Sequence, residues 1–292
     1  MLALIQNGRK INYLLWGPSE SSPIVEKIGS LDCPELKFSN KKIITELINN
    51  IIISTGSHEV SFTICNDDVF FSDLDVPEDI SFNDMFRWNQ SKYSEYISEK
   101  YSVFHYPVGF SDSSYFNIHI RKEIISLLKD VFKEINTNVH SISVGIFSAD
   151  MACREWYGAD RLESYMVLKL SGKGKSYLLD INNNSLNRFI IFKKLKDGIQ
   201  PLQVLGNHKE LDKLINIVNG IVFNKKIPNH PFSKIFIYGN SKKVIDKLVP
   251  HSDNYCMLDP FSVLSHSDSL KYDKDKLLQF IESGNSFRGI DV

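Results

Sequence analysis

Residues 170–181, LSGKGKSYLLDI, contain a Gly174-Lys175-Ser176 triplet of the kind that closes a phosphate-binding loop. Such a loop also needs a glycine five residues before the triplet, because backbone amides cradle a phosphate only where no side chain intrudes. That position is Lys169. The loop should also lead from a strand into a helix, yet an apolar run at 165–170 precedes the glycines and a second, at 176–181, follows them. The segment therefore reads as a hairpin turn between two strands, and the fold is decided by what surrounds that hairpin.

Working outward, three strand-like runs, YMVLKL, KSYLLDI and LNRFIIFKKL, are followed by a helical pattern carrying Leu211, Leu214, Ile215, Val218, Ile221 and Val222. The chain opens in the same order. LALIQNGRKINYLLW sets two apolar runs around Asn7-Gly8, a pair that readily takes the positive φ angles of a two-residue hairpin turn. A third strand is predicted at 23–28, and then a helix with Ile43, Ile44, Leu47, Ile48, Ile51 and Ile52 on one face. Between the two series, EVSFTICNDDVFFSDLDVP reads as a hairpin around Asn66-Asp67-Asp68, followed by a short helix with a capping-box pattern at Ser81 and Asp84. KYSVFHYPVGF and SSYFNIHIR read as strands, residues 124–135 as an amphipathic helix, and VHSISVGIF as a further strand. The end of the chain reads as strand, glycine turn and helix in SKIFIYGNSKKVIDKLV, a strand ending near Pro260, and a closing helix in KDKLLQFIESGNSF.

The composition sets bounds on function. A chain of 292 residues with 42% hydrophobic content can bury an ordinary core. Lysine and arginine total 34 against 35 acids, a net charge of -1, so no global field favours nucleic acid or an anionic membrane. Cys33, Cys65, Cys153 and Cys256 are scattered without zinc-ligand spacing and read as buried thiols of a reducing compartment. The eight histidines show no metal-binding spacing, and no Gly-x-Ser-x-Gly elbow is present. Neither a signal peptide nor a membrane span is expected, which places the protein in the cytoplasm.

Two halves that each begin with a three-stranded meander and a helix, plus a late strand-Gly-helix, resemble the actin-like ATPase superfamily. Several stretches resemble more closely the PilM family, cytoplasmic actin-like proteins of type IV pilus assembly: DLDVPEDISFNDMFRWNQSKY, SISVGIFSADMACREWYG, IFIYGNSKKVIDKLV with CMLDPFSVL, and the final FRGIDV. The resemblance implies an α/β, ribonuclease H-like actin fold with two similar halves around a cleft. The first half would span 1–160, with a small inserted subdomain at about 57–110; the second would span 161–292, its final helix packing back on the first.

In actin-like ATPases each opening hairpin carries an Asp-x-Gly turn whose carboxylate organises magnesium and water while turn amides hold phosphates. Here the aspartate positions fall on or near Gln6, before Asn7-Gly8, and near Lys169, before Ser171-Gly172. A glutamine brings no negative charge to a metal ion, and a lysine repels one. Neither turn has an acid within three residues of its glycine. The adenosine-side turn, Gly239-Asn240, shows one glycine where the family usually has a pair, and reads better as a simple strand-to-helix turn capped by Ser241. The expectation is a degenerate cleft with no catalytic residue, no metal and no cofactor. The alternative is a nucleotide-binding ATPase or small-molecule kinase with relocated acids, Asp180 first among them. A third reading has nucleotide bound without hydrolysis, with Lys169, Lys173 or Lys175 replacing the charge of magnesium.

The resemblance further implies a groove between the main first-half subdomain and the small one that accepts the cytoplasmic tail of a bitopic membrane protein. Phe86, Arg87, Trp88 and Tyr93 are the candidate lining, since tryptophan, tyrosine and arginine are the commonest interface anchors. Packing of these aromatics on the small subdomain's own sheet is the competing reading. The expected function is a non-catalytic scaffold of a type IV pilus or type II secretion-like assembly, recruited to the inner membrane face by its partner.

Overall fold

The structure is a computed structural model and describes residues 1–17, 23–33, 40–75, 80, 84, 88, 99–107, 114–172, 174–225, 229–239, 254–268, 270 and 280–287. The opening meander forms as its alternation dictates: β1 (Leu2–Asn7), β2 (Lys10–Gly17) and β3 (Ile24–Asp32) run antiparallel, with Gly8 at φ +58° in the first turn. Two later strands, β4 (Glu59–Ile64) and β8 (Asn138–Val144), extend the sheet in parallel beside β1, and β15 (Ser265–His266) closes its other edge on β3. Among the described residues β8 is the opposite edge of this six-stranded sheet.

The second half repeats the plan. β9 (Ser164–Leu170), β10 (Ser176–Asn182) and β11 (Ser185–Lys194) form the meander, and β13 (Lys234–Gly239) and β14 (Tyr255–Met257) add in parallel beside β9. Asn183 and Asn184, both at positive φ, form the β10–β11 turn, as the tolerance of asparagine for that region allows. A fourth antiparallel strand, β12 (Ile199–Gly206), lies beyond β11 where the sequence reading places only three. Pro201 and alternating polar residues hide it from a propensity argument, and as an edge strand it tolerates the proline. Inserted in the first half, between β4 and β8 in sequence, lies a small antiparallel sheet of β5 (Val69–Asp75), β6 (Tyr101–Pro107) and β7 (Ser114–Arg121), ordered β5-β7-β6.

Helices cover the sheets. α1 (Lys41–Thr55) begins on an Asn40 side-chain cap and ends at Gly56 with φ +67°. It buries Ile44, Ile48, Ile51 and Ile52, but Ile43, expected on that face, is 37% exposed in the first turn. α2 (Lys122–Glu134) packs Ile124, Leu128, Val131 and Phe132 into the same core, and α4 (Leu211–Phe223) covers the outer face of the second sheet. The short α5 (Pro260–Val263) follows β14. The end of the described chain is a 3-10 turn, Phe280–Ser283, running into α6 (Gly284–Phe287). No helix among the described residues is long and apolar enough to cross a membrane.

Two expectations fail for one shared reason. The predicted hairpin around Asn66-Asp67-Asp68 does not form: β4 belongs to the first large sheet, and a 3-10 turn, Asn66–Asp68, sends β5 into the small one. Likewise, the strand predicted through Phe147 stops at Val144, where α3 (Gly145–Tyr157) begins. Asn66 links the two events, because its Oδ1 accepts from the Ile146 amide at 2.9 Å and so caps the start of α3. α3 is buried over Gly145 to Asp150 and again at Ala152 and Cys153. A helix apolar on nearly all sides carries no 3.6-residue signature to read.

The buried stripe of α1 gives a direct test. Ile48→Ala is expected to cost about 2–5 kcal/mol and Ile43→Ala less than about 1 kcal/mol, as measured by urea unfolding. Equal costs would contradict the helix orientation described here.

Candidate functional site

The two halves meet along the inner face of the second sheet. Alternation along β9 puts Tyr165, Val167 and Lys169 on that face and Met166, Leu168 and Leu170 on the face under α4. Lys169 is thereby carried into the interface, 6% exposed, at the end of the strand that leads into the Ser171-Gly172 turn. Its Nζ lies 2.5 Å from Oε1 of Glu282, also buried, on the C-terminal 3-10 turn. The Tyr238 hydroxyl, from β13, donates to the same Oε1 at 2.8 Å. The rings of Tyr177 and Tyr238 flank the ammonium at 5.9 and 6.0 Å from their centroids.

Glu282 is held by the first half. The Thr63 hydroxyl donates to its carbonyl oxygen at 2.9 Å, and its carboxyl rests on Gly145, where a Cβ would lie 2.7 Å from Oε2. Gly284 lies still closer to α3: a Cβ there would meet Ser148 O at 2.2 Å and Ala152 N at 2.3 Å. Asn285 joins the same wall, its Oδ1 accepting from Ser148 Oγ at 3.1 Å and its Nδ2 donating to Ser141 Oγ at 2.9 Å. The Trp16 indole donates to Ser286 Oγ at 2.8 Å. Residues 280–287 thus pack on α3 and on the first sheet, with the Glu282 carboxylate directed at the second half.

The first-half turn contributes Gln6, 3% exposed, whose Oε1 accepts from the Cys65 amide at 3.2 Å and whose Nε2 donates to Asp68. Arg121 stands 4.0 Å from the other oxygen of Asp68. Next to it, Asp67 Oδ1 accepts from the Tyr177 hydroxyl at 2.7 Å, another bond between the halves. Two more lie at the small sheet: Gln203 Nε2 donates to Phe71 O at 2.8 Å, and the Gly206 amide donates to Asp73 Oδ2 at 3.1 Å.

Burial raises the Asp68 pKa above the usual carboxylate value, against the lowering influence of Gln6 and Arg121. For Lys169, burial pulls toward the neutral amine. Glu282 leads the opposing influences, followed by Cys65, the hydrogen bond to Glu282 and Asp67, and together they hold the ammonium above the ordinary lysine range. Burial, then Asp67, pushes the Tyr177 hydroxyl well up, so it stays a donor at neutral pH.

Of the residues singled out in the sequence, Gln6 and Lys169 come together at this interface. Asn7 and Gly8 lie in the outer part of the first turn. In the second turn the amides that would face a phosphate are satisfied locally: Ser171 N donates to Ser176 Oγ at 3.1 Å and Gly174 N to Ser171 Oγ at 2.9 Å, leaving Gly172 exposed between them. Gly239 is buried at the end of β13, and Asn240 lies outside the described residues. Asp180 has the opposite parity on its strand from Tyr177 and points away from the interface, beneath α4. There it accepts from Asn187 Nδ2 at 2.9 Å, with Arg188 at 3.7 Å, in a separate polar concavity of about 550 Å³.

Asp67, Asp68, Tyr177, Tyr238 and Glu282 are members of the site that sequence reasoning missed. Their one signal is the short acidic run after β4; Glu282 reads only as part of an amphipathic helix. The carboxylates of Asp67, Asp68 and Glu282 are engaged by Tyr177, by Gln6 and Arg121, and by Lys169 with Tyr238, respectively. A divalent cation near the second turn would face an ammonium group. Among the described residues no group of three His, Cys, Asp or Glu is placed to hold a metal ion.

A second feature opens on the other side of α3. Between the small sheet, α2, the edge strand β8 and α3 lies a groove of about 670 Å³, lined mainly by apolar side chains that include Phe104, Ile118, Val139, Ile142, Phe147 and Met151. Phe104 and Val139 are exposed at its rim. Trp88 is half-buried and is not among the described lining residues, while Phe86, Arg87 and Tyr93 lie outside the described residues.

No family model matches the chain, and no curated protein sequence does. Solved structures do. A PilM–PilN type IV pilus biogenesis complex is similar over 100% of this chain and 98% of that one, at 13% identity and a TM-score of 0.64. The cytoplasmic domain of EpsL, an inner membrane component of the type II secretion system of Vibrio cholerae, is similar over 98% and 94%, at 10% identity and a TM-score of 0.50. The chain has the actin-like ATPase fold in a PilM-like arrangement, with two similar halves and a small inserted sheet in the first.

The buried pair makes a specific demand. Lys169→Met alone strands the Glu282 carboxylate and is expected to cost about 3–5 kcal/mol, whereas Lys169→Met with Glu282→Met is expected to lie near the unmodified protein or above it. Chemical unfolding of the single and double variants checks this. The raised lysine pKa fixes the sign of the pH dependence: the contribution is complete below the unfolded value of about 10.4 and fades only as pH rises through the higher folded value. The difference between protein and double variant should thus stay flat from neutrality to about pH 10.

Proposed function

We propose that the chain is a non-catalytic actin-fold scaffold whose groove docks an extended, apolar cytoplasmic segment of a membrane protein in a type IV pilus or type II secretion-like assembly. The observation that carries the reading is the buried Lys169–Glu282 pair, which engages the lysine standing near the position where an actin-like ATPase would be expected to carry an aspartate. With the charges of the interface neutralised internally, binding is left as the chemistry the molecule offers. The groove suits that role. β8 is a sheet edge, so an extended segment can pair with its backbone while alternate side chains enter the apolar trough between Phe104 and Ile118 on one side and Phe147 and Met151 on the other. The likeness in fold to a PilM–PilN complex and to the cytoplasmic domain of EpsL supports a partner of this kind. A cytoplasmic protein held at the inner membrane face by its partner follows from the same reading.

One observation favours a second reading. Asp67 and Asp68 stand beside Gln6, so acids absent from the turn itself reach it from the end of β4, and nucleotide binding with relocated acids would use them. Thermal unfolding separates the two. A ligand at ~100 times its dissociation constant stabilises by ~2.7 kcal/mol, and the scaffold reading expects no shift with millimolar ATP or ADP, with or without magnesium. A magnesium-dependent rise would transfer the assignment to Asp67 and Asp68.

The docking reading is tested by selecting a displayed library of random nonapeptides against the full chain. Enriched peptides are expected to alternate apolar residues and to lose at least about tenfold in affinity, ~1.4 kcal/mol, on Val139→Glu at the groove rim. Selection of no sequence class, or of peptides indifferent to Val139→Glu, would contradict it.

A further inference from the structure

α3 borders the interface pair on one side and the groove on the other, and we propose that it couples them: the Lys169–Glu282 pair holds α3 where the groove is competent to dock, and a docked segment strengthens the pair in return. The proposal rests on the docking reading above. On one face of α3, Gly145 lies under the Glu282 carboxyl, and Ser148 and Ala152 lie under Gly284, with backbone against backbone and no side chain between to absorb movement. On the other face, Phe147 and Met151, one helical turn apart, line the groove with Asp150. Along its length α3 is tied to the second half, where Tyr165 donates to Asp150 Oδ1 at 2.8 Å and Arg154 Nη2 donates to Asn184 O at 3.1 Å.

Phe147 carries the contact further. Its ring centroid lies 5.6 Å from Phe116 and 6.2 Å from Phe71, both on the small sheet, and 6.2 Å from Phe189 on β11. A segment pressing on Phe147 from the groove therefore meets a close-packed cluster reaching both halves, and such interiors transmit displacement rather than absorb it. Two arrangements are defined. In one, Glu282 sits on Lys169 with α3 fixed and the groove formed; in the other, the pair is parted and α3 and the C-terminal segment are displaced. If only the first docks the segment, the apparent dissociation constant rises as the fraction in that arrangement falls. By linkage the segment must then favour the pair by the same factor.

The test uses the full chain, the Glu282→Gln variant and a nonapeptide from the selection above, and reads amide hydrogen exchange together with peptide affinity. In Glu282→Gln, exchange along Gly145–Tyr157 and Asn138–Val144 is expected to quicken at least about fivefold and affinity to fall by at least about fivefold, the lower end of ordinary coupling. The amides of β10 and β11 should hold their rates, which distinguishes coupling from global unfolding. In the unmodified chain, saturating peptide is expected to slow exchange at 280–287, where it makes no contact, so the proposal does not depend on a variant that folds. Peptide protection confined to the groove, or faster exchange in the variant confined to 280–287 with unchanged affinity, overturns the coupling. Failure to select any peptide overturns the docking reading, and the exchange rates of α3 and β8 in Glu282→Gln still decide whether the pair controls the groove walls.

Discussion

The molecule is organised around one ion pair. Lys169 and Glu282 come from opposite halves, both are buried, and neither can be separated from the other without leaving an uncompensated charge in a low-dielectric interior. Desolvating two ions costs several kcal/mol each, and attraction offsets this only when geometry is close and the remaining hydrogen-bonding capacity is used. The Tyr238 hydroxyl on Glu282 and the tyrosine rings beside the ammonium meet that requirement. The backbone around the pair is arranged to suit it: a side chain at Gly145 would collide with the Glu282 carboxyl, and one at Gly284 would push the C-terminal segment off α3.

The same arrangement ties the two halves together. A fold of two similar halves can open and close around a ligand, but here Tyr177 on Asp67, Gln203 on Phe71 and Gly206 on Asp73 add hydrogen bonds across the division, and the Phe71, Phe116, Phe147 and Phe189 rings cluster over it. These contacts tie the two halves together, and among the described residues a broad apolar concavity lies beside β8. Under the proposed docking function the working surface is the flank of the first half, with α3 as the wall shared by the groove and the interface.

Much of the fold was legible because its signals are local. Asn7-Gly8 and Asn183-Asn184 specify tight turns, the alternating runs around them specify meanders, and α2 and α4 show clean apolar stripes. α3 was not legible because burial on nearly all sides erases its periodicity, and β12 was not because an edge strand carrying Pro201 looks like a loop. At the site, Gln6 and Lys169 were singled out from the two turns, and both lie at the interface. The partner of Lys169 could not, since Glu282 lies 113 positions further along the chain and only the tertiary fold brings them together. The same holds for Asp67 and Asp68, which read as turn residues because turns favour aspartate for reasons unrelated to charge.

The most direct test of this account is the side-chain ammonium of Lys169, observed by nitrogen-15 NMR at neutral pH in the full chain and in Glu282→Gln. The account requires a slowly exchanging, well-dispersed ammonium signal that depends on Glu282 and is unmoved by magnesium ATP. An ammonium in rapid exchange with water, or one displaced by magnesium ATP, would mean that the halves are not held by this pair and that the space between them is open to a ligand.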